Sequence, residues 1–87
     1  MFTTIRKLLL SLIEGAKGFG LQSRDIDNAN DYLEYHEYGL CFEIIVTQLY
    51  EHEIKIDQKY FLLISKIGEN LKLPLDDYVF MKELVTE

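Results

Sequence analysis

The 87-residue chain reads as all-α, a single small bundle of four to five helices formed by residues 1–87. Three observations lead there. Apolar residues recur at helical spacing in successive segments along the chain. Alternation of polar and apolar residues is confined to Glu53-Ile54-Lys55-Ile56-Asp57, five residues that are too few for a sheet. The length also leaves room for one core, since a chain of this size buries roughly 60–65% of its unfolded surface and has little area to spare for a deep pocket. No repeat, low-complexity tract or linker divides the chain.

The first helix is announced by Ile5, Leu8, Leu9, Leu12, Ile13 and Ala16, one face of a 3.6-residue period. Thr3 or Thr4 can cap its start, because a hydroxyl there accepts an otherwise unpaired backbone N–H. Gly15, Gly18 and Gly20 blur its end, and a loop is expected around residues 18–22. Ser23 is a good cap for a second helix whose inner face is Ile26, Ala29 and Leu33, continued by His36. Gly39 and the polar run before it predict a turn or kink. The third helix, about 38–52, is the most apolar: Leu40, Cys41, Phe42, Ile44, Ile45, Val46 and Leu49 leave only Glu43, Thr47 and Glu51 as a polar strip. Such an element belongs in the middle of a bundle.

Two later helices share a local signature. Ile56-Asp57 precedes Phe61, and Leu75-Asp76 precedes Phe80. With each aspartate as cap, the residue before it and the fourth helical residue can close over the helix start as a hydrophobic staple. Helix four then buries Tyr60, Leu63, Ile64, Ile67 and Leu71, and helix five buries Phe80, Met81, Leu84 and Val85. Pro74 falls in the connection, where it removes no helical hydrogen bond.

Charge is distributed unevenly. Residues 1–24 carry a net +3, residues 25–54 a net −8 and residues 55–87 a net −1, so the overall −6 belongs to the second and third helices. The middle segment holds eight acids (Asp25, Asp27, Asp31, Glu34, Glu37, Glu43, Glu51, Glu53) and no lysine or arginine. Asp27, Asp31, Glu34 and Tyr38 follow one another at the spacing of a narrow helical stripe. Tyr32, Tyr35 and Tyr38 lie among the acids, a combination common at protein interfaces. Any one carboxylate is explained by a solvated face, with Asp25 and Asp27 suited to the positive end of the helix dipole. Eight without a base favour a surface meant for a basic protein.

The same charge argues against nucleic acid and against an anionic membrane, which both need surplus lysine and arginine. A helix-turn-helix DNA binder is therefore disfavoured although short helices permit one. The apolar run Leu8–Ile13 is broken by Ser11 and stopped by Glu14, short of a signal or spanning segment, so a cytoplasmic protein is expected. Cys41 has no partner thiol in the chain and sits among apolar neighbours, which reads as inert core. His36 and His52 lack ligand spacing, and Asp25–His36 fails as a calcium loop at its sixth and twelfth positions, Asn30 and His36. Gly15–Gly20 lacks the Lys-Ser/Thr of a phosphate loop. No metal, no cofactor and no enzymatic activity are expected, and Asp76 and Asp77 are assigned to capping.

Tyr32-Leu33-Glu34-Tyr35-His36-Glu37-Tyr38-Gly39-Leu40, then Phe42-Glu43-Ile44-Ile45 and Gln48-Leu49-Tyr50-Glu51, resembles the MafI-type immunity proteins, and Phe80-Met81-Lys82-Glu83-Leu84-Val85 is similar to their last helix. The resemblance covers about residues 23–86 and is most specific at Glu37-Tyr38-Gly39-Leu40 with Gln48-Leu49-Tyr50-Glu51. The basic first helix has no counterpart in it. It implies an all-helical cytosolic partner of a polymorphic or contact-dependent growth-inhibition toxin, binding the toxin's C-terminal domain, often a nuclease, one-to-one. On that reading Tyr35 and Tyr38 are anchors, and Asp27, Asp31, Glu34 and Glu37 steer and pair with the toxin. The alternative is a helical adaptor or regulatory subunit binding another basic protein, which the same surface would serve.

Overall fold

The structure, a computed structural model, describes residues 2–86. Four α-helices are followed by two short 3₁₀ helices: α1 (Phe2–Phe19), α2 (Ser23–Glu34), α3 (Tyr38–Glu51) and α4 (Gln58–Asn70), then Leu75–Asp77 and Val79–Leu84. No strand occurs among the described residues, and the all-α bundle stands. α3 occupies the middle, packed against α1, α2, α4 and the second 3₁₀ helix. Its Cys41, Phe42, Ile45, Val46 and Leu49 are buried, while Leu40 stays exposed.

The helix starts differ from expectation. α1 begins at Phe2, so Thr3 and Thr4 lie inside its first turn rather than ahead of it. Ser23 is the first residue of α2, and the cap position falls to Gln22 in an extended conformation with no side-chain bond. Asp57 does cap α4, its carboxylate accepting from the Tyr60 backbone N–H at 2.8 Å. The flanking Ile56 and Phe61 are both buried, as a staple requires.

All four α-helices end in the same device. A residue with positive φ follows the cap (Gly20 at 107°, His36 at 61°, Glu53 at 50°, Lys72 at 59°). Its N–H donates three residues back and the next N–H donates five back, as in Gly20 to Lys17 and Leu21 to Ala16. This is the Schellman arrangement, which satisfies two orphan carbonyls. The residue after the positive-φ position is apolar in three cases, Leu21, Ile54 and Leu73, and is Glu37 in the fourth. The turn between α2 and α3 therefore lies at Tyr35–Glu37, with Gly39 inside α3. His36 does not continue the inner face of α2; it is exposed in that turn.

The last helix is not an α-helix. Tyr78, Met81 and Leu84 are buried at intervals of three, the period of a 3₁₀ helix. Phe80 and Val85 are only half-buried. No side chain caps either 3₁₀ segment, so the proposed Asp76 cap is absent; Leu75 and Asp76 both stay exposed, which also removes that staple. The chain end is held instead by one parallel bridge. Ile56 N–H donates to the Leu84 carbonyl at 3.0 Å, and Thr86 N–H donates to the Ile56 carbonyl at 2.9 Å.

Two glycines let aromatic rings close the bundle. A Cβ at Gly15 would overlap the Tyr60 ring, and a Cβ at Gly68 would overlap the Tyr78 ring. The Tyr60 hydroxyl donates to the Leu12 carbonyl of α1, fastening α4 to α1. Tyr78 packs edge-on to Phe42 with centroids 6.2 Å apart, tying the C-terminal segment to α3.

Candidate functional site

Six of the eight acids in residues 25–54 fall into three groups, and Glu51 and Glu53 lie apart near the end of α3. Asp27, Asp31 and Glu34 lie along one exposed side of α2, as the helical period requires. Because α2 stops at Glu34, the stripe does not reach Tyr38, which opens α3 instead. Of the three tyrosines only Tyr35 stands out into solvent, at 76% exposure; Tyr32 and Tyr38 are partly buried against the core. Tyr38 shares a 3.2 Å hydrogen bond with His36 Nδ1 and meets its ring edge-on.

The second part faces inward. Asp25 is 1% exposed, so it leaves the acidic surface and joins Ile26, Ala29 and Leu33 on the packed side of α2. Gln48 Nε2 of α3 donates to its Oδ1 at 3.0 Å. The other oxygen, Oδ2, is buried without a hydrogen-bond partner and lies 4.0 Å from His52 Nε2. This carboxylate ties the start of α2 to the end of α3; sequence reasoning placed it on the surface. Its signal was legible, because Asp25, Ala29 and Leu33 recur every four residues.

The third part forms a wall of a groove of about 800 Å³ between the start of α3 and the segment after α4. Glu37 and Tyr38 line it, whereas Asp27, Asp31, Glu34 and Tyr35 do not. Its apolar lining includes Phe42, Val46, Leu73 and Phe80. Exposed carboxylates at Glu37, Glu43, Asp76 and Asp77 line it too, with no lysine or arginine among its residues. Asp76 and Asp77, assigned to capping on sequence grounds, therefore line the same groove as Glu37 and Glu43. A groove of this size was also unexpected in so short a chain. It arises because residues 73–80 pass over α3 in a 3₁₀ path that a sequence pattern does not reveal.

Three titratable groups are shifted by their surroundings. Burial pushes the Cys41 thiol up to about 11, which keeps it protonated and unreactive at neutral pH. Burial also raises Tyr60 well above the usual phenol range. The hydrogen bond from Tyr50 to Glu83, 3.0 Å long, together with that carboxylate's charge raises Tyr50. Among the described residues no group of three or more His, Cys, Asp and Glu could hold a metal ion, and no helix is long and apolar enough to cross a membrane. The chain matches no protein-family model, no curated protein and no solved structure.

Proposed function

We propose that this chain is a cytoplasmic immunity protein that binds the C-terminal toxic domain of a polymorphic or contact-dependent inhibition system one-to-one and so neutralises it. The observation that carries this reading is charge segregation. Between residues 25 and 54 there are eight acids and no lysine or arginine, and seven of those acids stand exposed. A toxin that cleaves nucleic acid must hold phosphates, so its cleft is basic, and an acidic protein of this kind is its electrostatic complement. The aromatic-acidic motif around Glu37-Tyr38-Gly39-Leu40, similar to MafI-type immunity proteins, supports the same reading. Asp27, Asp31 and Glu34 on α2 steer the encounter, Tyr35 offers an exposed aromatic anchor, and Glu37 with Tyr38 contributes at the groove.

The division of labour has a kinetic signature. Complementary fields raise association towards 10⁸–10⁹ M⁻¹s⁻¹ at low salt, and screening acts over about 8 Å at physiological salt. Asp31→Lys with Glu34→Lys is expected to slow association with the purified toxic domain about tenfold and to flatten its salt dependence, leaving dissociation nearly unchanged. An unchanged association rate removes steering by α2 from the account. A wild-type chain that fails to form a one-to-one complex with the domain, but binds another basic protein, favours the adaptor reading instead.

A further inference from the structure

We infer that the groove between α3 and the 3₁₀ segment is the docking site for a cationic stretch of a partner protein that carries an apolar anchor. The inference rests on the reading of this chain as a binder of a basic toxic domain and names the part of that domain it receives. Charge complementarity selects the occupant. Glu37, Glu43, Asp76 and Asp77 line the groove together with the apolar Phe42 and Phe80, and no lysine or arginine is among its lining residues. A neutral apolar segment would leave four carboxylates desolvated without partners, and a purely polar cation would leave the apolar lining uncovered. Arginine or lysine flanking a leucine or an aromatic residue satisfies both.

Two local features of the groove bear on its use. Gly39 is the second residue of α3, in its first turn. Unlike Gly15 and Gly68 it accommodates no neighbour, since a Cβ there would meet nothing within 4 Å. A bare backbone at that point lets a partner's chain approach closely. The second feature is Glu37. The three other helix ends place an apolar residue at the corresponding position, and here an exposed acid replaces it.

The test uses the full-length ¹⁵N-labelled chain and a short synthetic peptide of alternating arginine pairs and leucine pairs at physiological salt. Saturable amide shifts confined to residues 37–47 and 73–80 are expected. A Cβ at Gly39 would meet nothing within 4 Å, so Gly39→Trp places an indole in the groove and should weaken peptide binding at least about tenfold. Asp76→Lys with Asp77→Lys, at exposed positions, should do the same should the tryptophan variant fail to fold. Shifts that run along α2, or peptide binding indifferent to both variants, would overturn the inference. Self-association abolished by Gly39→Trp would assign the groove to a second copy of the chain and overturn it as well. The toxic domain separates this claim from the one beneath it. If that domain binds Gly39→Trp as tightly as wild type, the toxin reading stands and the groove is wrong. If the peptide occupies the groove while the toxic domain fails to bind wild type, the groove stands and the toxin reading falls.

Discussion

The two joints where tyrosine meets glycine and the groove beside Gly39 use the same residue type to opposite ends. At Gly15 and Gly68 the missing Cβ is filled from within, by Tyr60 and Tyr78. At Gly39 no atom packed from elsewhere in the described residues lies within 4 Å of that position. The first arrangement locks α4 to α1 and the C-terminal segment to the bundle. The second leaves backbone open beside four carboxylates.

The largest effects should come from breaking the closed side of that comparison. Gly15→Ala and Gly68→Ala each force a Cβ into an aromatic ring, an overpacking cost of about 2–3 kcal/mol. For a domain of this size that lowers the melting temperature by roughly 10–20 °C, readable by thermal denaturation. Gly39→Ala, by contrast, should be neutral or stabilise by up to about 1 kcal/mol. Equal losses at all three positions would erase the distinction.

Alkaline pH probes the same core with the second-largest effect. Cys41 is raised to about 11 in the folded protein from an ordinary value near 9.0, so folding favours the neutral thiol. Stability is full below pH 9, where the unfolded thiol is also protonated, and declines as pH rises through 9 to 11, by about 2–3 kcal/mol in all. Tyr60, also raised, adds to the loss above pH 10. Cys41→Ala should lower stability at pH 7 but flatten this decline in urea titrations. An unaltered pH profile would contradict the burial argument for the thiol.

Asp25 sharpens the comparison among the acids. Asp25→Ala removes the acceptor of the Gln48 bond and should cost about 1–2 kcal/mol in urea unfolding, whereas Asp27→Ala on the exposed face should stay within about 0.5 kcal/mol. Smallest of all, Lys72→Gly relieves a left-handed backbone and should stabilise by about 0.5–1 kcal/mol.

These contrasts mark how far the sequence could be read. Periodicity placed α1 to α4 because each buries a broad apolar stripe whose spacing survives any packing. The helix ends were less legible, since three of the four left-handed positions are His36, Glu53 and Lys72 rather than glycine. Tertiary packing holds those residues where their own preference would not. The last helix departs from its sequence pattern: Phe80, Met81, Leu84 and Val85 fit a 3.6 period, while the buried residues follow the spacing of three from Tyr78. Of the predicted site, Asp27, Asp31 and Glu34 could be grouped because one helix carries them. The groove could not, because it joins residues 37–47 to residues 73–80, and only the folded chain brings them together.

Growth rescue tests the central claim most directly. The C-terminal region of the protein encoded immediately upstream is expressed in a sensitive cell, with and without this chain. Immunity predicts that growth is abolished by that region alone and restored when the chain is present, with the two proteins co-purifying in equal amounts. Persistent toxicity beside a folded, abundant chain would contradict it.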